Sequence, residues 1–218
     1  MAKVELLTVY NEDGRPAGTK TRSQVHEDGD WHMLVFVLAA RIATEGRRVL
    51  LQVRSGPQDP YEGQIDVSAA GHVHANESPR EAAVREIREE VGIDLLSDDL
   101  ISLGVRRLTN PSGVCKKAIQ NFFLCLRPIH LEQARFNSEV GGFLEVDLDE
   151  FADFIDAKRD RLPAQARLRF QDGKAREMEI TRTFIAAYSP MIIDTFRRFI
   201  SSIKHYMDSG VADALVWE

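Results

Sequence analysis

Three glutamates, Glu86, Glu89 and Glu90, stand at i, i+3 and i+4 in a segment of helical character spanning residues 78–91. Side chains at that spacing share one face of a helix, so the three carboxylates converge. Like charges gathered on one face destabilise a helix unless something answers them, and a hard divalent cation is the natural partner for oxygen ligands. A solvated acidic face answered by Arg80, Arg85 and Arg88 is the alternative reading. The helix is well punctuated. Ser78 is a good N-cap, Pro79 suits the first helical position, and Glu81 completes a Ser-x-x-Glu capping box. Gly92 follows where helices commonly end in a left-handed residue.

The wider segment resembles the signature of the Nudix family. Gly71 is followed after five residues by Glu77, and after seven more by Arg85-Glu86-Ile87, then Glu89-Glu90 and Gly92-Ile93. With residue types at background frequencies of about 5–7%, seven fixed positions coincide by chance about once in 10⁸ windows. The resemblance implies a loop-helix-loop that binds Mg²⁺ or Mn²⁺ through Glu86, Glu89 and Glu90, with the carbonyl of Ala70 facing the metal. It implies structural roles for Gly71, Glu77, Arg85 and Gly92, including a salt bridge between Glu77 and Arg85. The implied chemistry is substitution at phosphorus by water that one of the glutamates, or one from a later loop, activates. Glu139 is the candidate for that later glutamate, and Glu145 is a second one.

Similarity to the isopentenyl-diphosphate isomerase-like branch of the family extends over residues 4–157, through Val25-His26-Glu27-Asp28-Gly29-Asp30-Trp31-His32 and the run from Gly63 through Gly71-His72. The isomerases place a catalytic cysteine just before the Gly-His pair. Here that position is Ala70, which cannot transfer a proton. Where the isomerases carry glutamates on a later strand, this chain has the amides Gln120 and Asn121. His26, His32 and His72 resemble the isomerase's histidine metal site, although the first two are six residues apart here, which departs from that pattern. Hydrogen bonding in the core, or a part in shaping the substrate pocket, is the other role open to His32 and His72. Cys115 and Cys125 fit no metal-ligand spacing and no disulfide framework.

Composition narrows the partners. Of 218 residues, 44% are apolar and 28% charged, as in ordinary globular proteins, and the formal net charge is −6. An acidic protein repels a phosphate backbone at long range, so nucleic acid is not expected as a partner. A small phosphorylated molecule is compatible, because a bound cation inverts the local potential. The longest apolar run, residues 33–40, is far shorter than the roughly 20 residues of a membrane span. The opening Met1-Ala2-Lys3-Val4-Glu5 lacks the apolar core of a signal peptide, so a reducing cytoplasm is the expected setting.

Strands are expected at residues 4–10, 32–40, 49–54, 100–108, 118–126 and 143–146, with a short apolar piece at 65–69. Loops are expected at 55–63 and 109–113 from their Gly and Pro content, and a helix at 147–157. Further on, residues 167–170 and 175–181 flank Gln171-Asp172-Gly173-Lys174, a hairpin signal. Ile193, Phe196, Phe199, Ile200, Ile203 and Met207 then fall at helical spacing. The expected class is α+β: a Nudix fold with a mixed sheet sandwiched between helices (residues 1–157), then a hairpin-plus-helix extension (158–218) packed on that domain or on a partner subunit in a homodimer. Arg54, Arg106, Arg107, Lys116 and Lys117 are candidates to meet substrate phosphates, and Tyr61, Phe122 and Phe123 to stack on a ring. The functions in view are a pyrophosphohydrolase of a nucleoside diphosphate derivative or related diphosphate, a non-catalytic ligand sensor, and a prenyl-diphosphate isomerase.

Overall fold

The computed structural model describes residues 4–56, 59–110, 115–169 and 174–212. Strands β1 (Leu6–Tyr10) and β2 (Pro16–Thr21) form an antiparallel hairpin, and helix α1 (Arg22–Asp28) follows. Neither β2 nor α1 was expected from sequence. Strand β2 is exposed and polar, and α1 buries only Val25, so hydrophobic periodicity is silent there. The cue that existed was local: Thr21 and Gln24 form a capping box, and Gly29 ends the helix at φ 73°.

The main sheet is built from β3 (His32–Ala43), β4 (Gly46–Arg54), β5 (Ile65–Asp66), β6 (Ala69–His72), β7 (Leu100–Thr109), β8 (Lys117–Cys125), β9 (Val140–Asp147), β10 (Arg161–Leu168) and β11 (Arg176–Thr181). Its order is β11-β10-β9-β4-β3-β8-β7, with β5 beside β4 and β6 beside β3. The pair β3–β8 is parallel and the remaining pairs are antiparallel, so the sheet is mixed. Strand β3 is apolar without alternation because both its faces are covered.

Helix α2 (Pro79–Glu86) covers one face, where Ala82, Ala83 and Ile87 pack on Val35, Val37, Leu50 and Phe143. Helices α3 (Leu148–Ile155) and α4 (Pro190–Ser209) cover the other, where Phe151, Phe154, Phe196 and Phe199 pack on Leu38, Leu51, Leu144 and Val146. This is the α+β arrangement of a mixed sheet between helices. Chain beyond residue 157 enters the same sheet and the same core: β10 pairs with β9 from Gln165↔Glu145 to Leu168↔Gly142, and Ile200 and Ile203 of α4 are buried beneath the sheet.

Sequence reading starts the first strand of the terminal hairpin at Arg167, whereas β10 begins at Arg161. Pro163 obscured it, since proline donates nothing to a ladder. Pro163 lies opposite Glu179 of β11 in the part of β10 that β9 does not reach, since β9 pairs only with Gln165–Leu168, so one edge of the strand is open there. Phe170 and the Gln171-Asp172-Gly173 turn lie outside the described residues, as do 111–113 of the loop after Asn110 and 57–58 of the loop after Gly56. No described helix is long and apolar enough to cross a membrane.

Helix α3 depends on Phe151, which is fully buried and meets Phe196 of α4 edge-on at 6.1 Å. Phe151→Ala is expected to cost about 3–5 kcal/mol in chemical denaturation, the usual range for a buried phenylalanine. A loss below about 1 kcal/mol would show that α4 does not lean on α3 as described.

Candidate active site

After Glu86, helix α2 widens into a π-helical turn, Ile87–Val91, closed by Gly92 at φ 80° with its amide bonded to the Ile87 carbonyl at 3.1 Å. A helix reading with regular 3.6-residue turns places Glu86, Glu89 and Glu90 on one face as equals. The wide turn separates them instead: Glu86 and Glu90 point inward and are buried, while the Glu89 side chain is 51% exposed.

The inward pair is held by neighbouring strands. Gly71 on β6 faces Glu86 so closely that an added Cβ would lie 2.0 Å from its Oε1, so only glycine fits. The Ala70 amide donates to Glu90 Oε2 at 3.0 Å, and Gln52 Nε2 on β4 donates to the same oxygen at 2.9 Å. Sequence reading did not single out Gln52, although an amide inside the apolar run of β4 was a visible irregularity. Arg85 spans the loop. It donates to Glu77 through Nε (2.9 Å) and Nη2 (3.0 Å), to the His72 carbonyl (2.8 Å), and through Nη1 to Glu86 (2.7 Å) and Glu89 (3.1 Å).

The electrostatics follow from burial. Burial pushes the Glu86 carboxyl up to about 7 against the pull of Arg85, with Glu89 and Glu139 adding like-charge repulsion. Glu90 rises to about 8, first through burial and then through the charge of Glu86, despite its two hydrogen bonds. Burial acts on Glu77 too, but the hydrogen bonds from Arg85 and the His74 amide outweigh it and hold that carboxyl below its ordinary range. The arrangement is two carboxyls short of positive charge, beside a carboxylate that has it.

Glu86, Glu89, Glu90, Ala70 and Glu139 all line one cavity of about 950 Å³. Glu139 sits just before β9, anchored by its carbonyl, which accepts from the Ser55 amide at 2.8 Å. Its carboxylate has no hydrogen bond or ion pair among the described residues. Glu145 does not reach the cavity, because Arg41 grips it with two hydrogen bonds (2.8 and 3.1 Å) on the sheet. Of the five basic candidates for phosphate contact, only Arg54 lines the cavity, and it is held by Asp59 (2.7 Å) and Asp66 (2.6 Å). The rest are engaged elsewhere: Arg106 with Thr195 and Asp194, Arg107 over the Trp31 ring, Lys116 with the Glu27 carbonyl, and Lys117 with Glu12.

The aromatic candidates divide. Phe122 lines the cavity and meets Phe36 and Phe199, and Tyr61, also in its lining, meets Tyr188. Phe123 instead packs in the core under α2, with Arg80 over its ring. Tyr188, Ile192, Phe196 and Phe199 bring α4 and the chain before it into the cavity wall, a role that amphipathic spacing alone could not assign.

His26, His32 and His72 come together at another part of the same cavity, which His26 and His72 line, with ring centroids 5.1–5.4 Å apart. Burial pushes the His26 imidazole down to about 4 and lowers His32 and His72 as well, which favours the uncharged form of each. Cys115, assigned no ligand role from its spacing, stands with them, because loop and helix far apart in sequence meet there. Cys125 is buried in the core, where burial pushes its thiol up to about 11.

A stability prediction follows for the protein without divalent cation. The folded values of Glu86 and Glu90 lie above the ordinary 4.5, so the folded chain holds protons there that the unfolded chain has released. Stability from these groups is therefore full below pH 4.5 and is lost as pH rises through about 7 to 8. The histidines act oppositely, but only below their ordinary 6.5. In chelator, the melting temperature should fall between pH 6.5 and 8.5, and Glu90→Gln should flatten that fall and raise the value at pH 8.5 by on the order of 5 °C. Equal slopes in both proteins would refute the buried-carboxylate account.

Comparison with known proteins agrees with this geometry. A NUDIX domain profile matches residues 32–167. A Nudix hydrolase of Clostridium acetobutylicum is 34% identical over 178 residues, which cover 78% of this chain and 83% of that protein. An isopentenyl-diphosphate Δ-isomerase of Aliivibrio fischeri is 30% identical over 101 residues, covering 46% of this chain and 56% of the isomerase. A crystal structure of a protein from Deinococcus radiodurans shares the fold, with a TM-score of 0.52 at 19% identity over 70% of this chain and 90% of that one. With the profile matching the sheet and the loop-helix-loop together, the chain belongs to the Nudix hydrolase family.

Proposed function

We propose that this hydrolase is a Mg²⁺- or Mn²⁺-dependent pyrophosphohydrolase that cleaves a diphosphate linkage in a nucleoside diphosphate derivative or a related small molecule. The observation that carries the reading is the convergence of Glu86, Glu89, Glu90 and Glu139 on one cavity, with the two buried members short of positive charge. An all-oxygen donor set of that kind fits a hard divalent cation. Glu86 and Glu90 would hold it from inside, Glu89 from the rim, and the Ala70 carbonyl from β6. When bound, the cation neutralises charge developing on the diphosphate and lowers the pKa of attacking water.

The chain's own residues supply the rest. Arg85 is spent on Glu77, Glu86, Glu89 and the His72 carbonyl, so it sets the positions of the acids rather than reaching for phosphate. Glu139 acts as the general base. Its carboxylate is unengaged among the described residues and lies close enough to Glu86 to raise that group's pKa. The aromatic wall from Phe36, Phe122, Tyr188 and Phe199 accommodates the group attached to the diphosphate. Isomerase chemistry is disfavoured by Ala70, since a methyl group cannot pass a proton, and a purely sensory role by the complete set of glutamates.

The decisive experiment is a turnover screen with Mg²⁺ or Mn²⁺ against nucleoside triphosphates, nucleotide sugars, dinucleotide cofactors and prenyl diphosphates. Hydrolysis of one class, lost in Glu90→Gln, is expected. Ligands that raise the melting temperature without being turned over would instead make the chain a sensor, and a shift of double bond without release would make it an isomerase. Glu139→Gln is expected to lower kcat about 10²–10⁴-fold with KM little changed and cation binding retained. An unchanged kcat would remove Glu139 from the base role.

A further inference from the structure

The geometry points to a second metal centre of a different chemical kind, in which Cys115 supplies a thiolate beside His26, His32 and His72 and the ion is zinc. The likeness to the isomerases reaches only the histidines, and the carboxylates that would accompany them are replaced by Gln120 and Asn121. Three imidazoles leave a tetrahedral ion one ligand short. Cys115, arriving from the loop before β8, is the donor that the fold places in that position.

The four candidate donor atoms lie within 4.8 Å of one another. Tetrahedral zinc with nitrogen at about 2.0 Å and sulfur at about 2.3 Å sets its ligands about 3.3–3.8 Å apart. His26 Nε2 is 3.0 Å from His72 Nε2 and 3.8 Å from Cys115 Sγ, so little movement is required.

Outer partners turn two of the imidazoles, His32 and His72, the right way. His32 Nδ1 donates to the Asp30 carbonyl at 2.9 Å, which leaves Nε2 as a lone pair. His72 Nδ1 faces Glu5 Oε1 at 3.4 Å, which does the same for its Nε2. Such carbonyl and carboxylate partners commonly fix the tautomer of metal-binding histidines. His32 is 1% exposed, yet its Nε2 has no hydrogen-bond partner. A buried lone pair left empty costs free energy, and an ion at the centre of the cluster satisfies it.

The cysteine is held in place rather than drifting past. Lys116 Nζ donates to the Glu27 carbonyl at 2.8 Å, and its stem lies over Gly29, where an added Cβ would come within 2.9 Å. Lys116, the neighbour of Cys115, is therefore seated on the end of α1, the helix that carries His26. A set of imidazole and thiolate donors selects zinc and disfavours magnesium, while the nearby carboxylates select the reverse. Four protein ligands complete the coordination of the ion, so the centre is structural although His26, His72 and Cys115 line the cavity. On binding, the Cys115 thiol releases its proton to solvent as the metal–sulfur bond forms. The ion ties α1, the start of β3, the end of β6 and the loop into β8 at His72, the residue after Gly71.

Metal analysis of the full chain purified without chelator tests this. About one equivalent of zinc per chain is expected, kept in Glu90→Gln and bound about a hundredfold or more weakly in Cys115→Ser. In cobalt-substituted protein a thiolate-to-cobalt charge-transfer band should accompany tetrahedral d–d bands. That band should vanish in Cys115→Ser, with circular dichroism confirming that the variant is folded. Zinc that leaves with Glu90→Gln but not with Cys115→Ser would belong to the glutamate site. That result, or a cobalt spectrum lacking charge transfer in the wild type, would overturn the proposal.

Discussion

Two carboxylates of one helical turn, Glu86 and Glu90, are buried with less positive charge than they carry negative. Removing an ion from water costs several kcal/mol even after the protein relaxes, and a like charge alongside adds to that. The surroundings relieve it in the few ways open to a folded chain. One backbone amide and one side-chain amide meet Glu90, and one guanidinium meets Glu86. The remainder is the charge that the proposed cation would meet, and the absence of a side chain at Gly71 makes room for Glu86 itself.

Arg85 shows why the motif demands an arginine. Its planar fork satisfies both oxygens of Glu77 and still reaches Glu86, Glu89 and a carbonyl. A lysine ammonium, with three donors at one point, could not bridge partners on both sides of the loop. The acids are thus placed by a rigid group that is itself clamped, and the π-helical turn sets how far each one enters the cavity.

The sheet supplies the frame. Strands β6 and β4 follow one another along the edge of β3 opposite β8 and present Gln52, Ala70 and Gly71 to the helical turn, while the apolar faces bury themselves against α2 above and α3 and α4 below. Because α4 closes the lower face, aromatic residues distant in sequence from the motif become walls of the same cavity. At the same cavity, imidazoles and a thiol form a softer donor set, which His72 joins one residue along the chain from Gly71.

The acidic motif, its capping box and the apolar strands β3, β4, β7 and β8 were legible in the sequence, because caps, turns and hydrophobic runs are local physics. So was the amphipathic face of α4. The inequality of Glu86, Glu89 and Glu90 was not, since it comes from a five-residue turn that side-chain spacing does not reveal. The capture of Glu145 by Arg41 and the diversion of Arg106, Arg107, Lys116 and Lys117 were equally hidden, because ion pairs across a sheet depend on strand register. Cys115 meeting His26, 89 positions away, is the clearest case. Sequence determines which donors a chain owns, and only the packing of α1 against Cys115 and Lys116 decides which of them share a point in space.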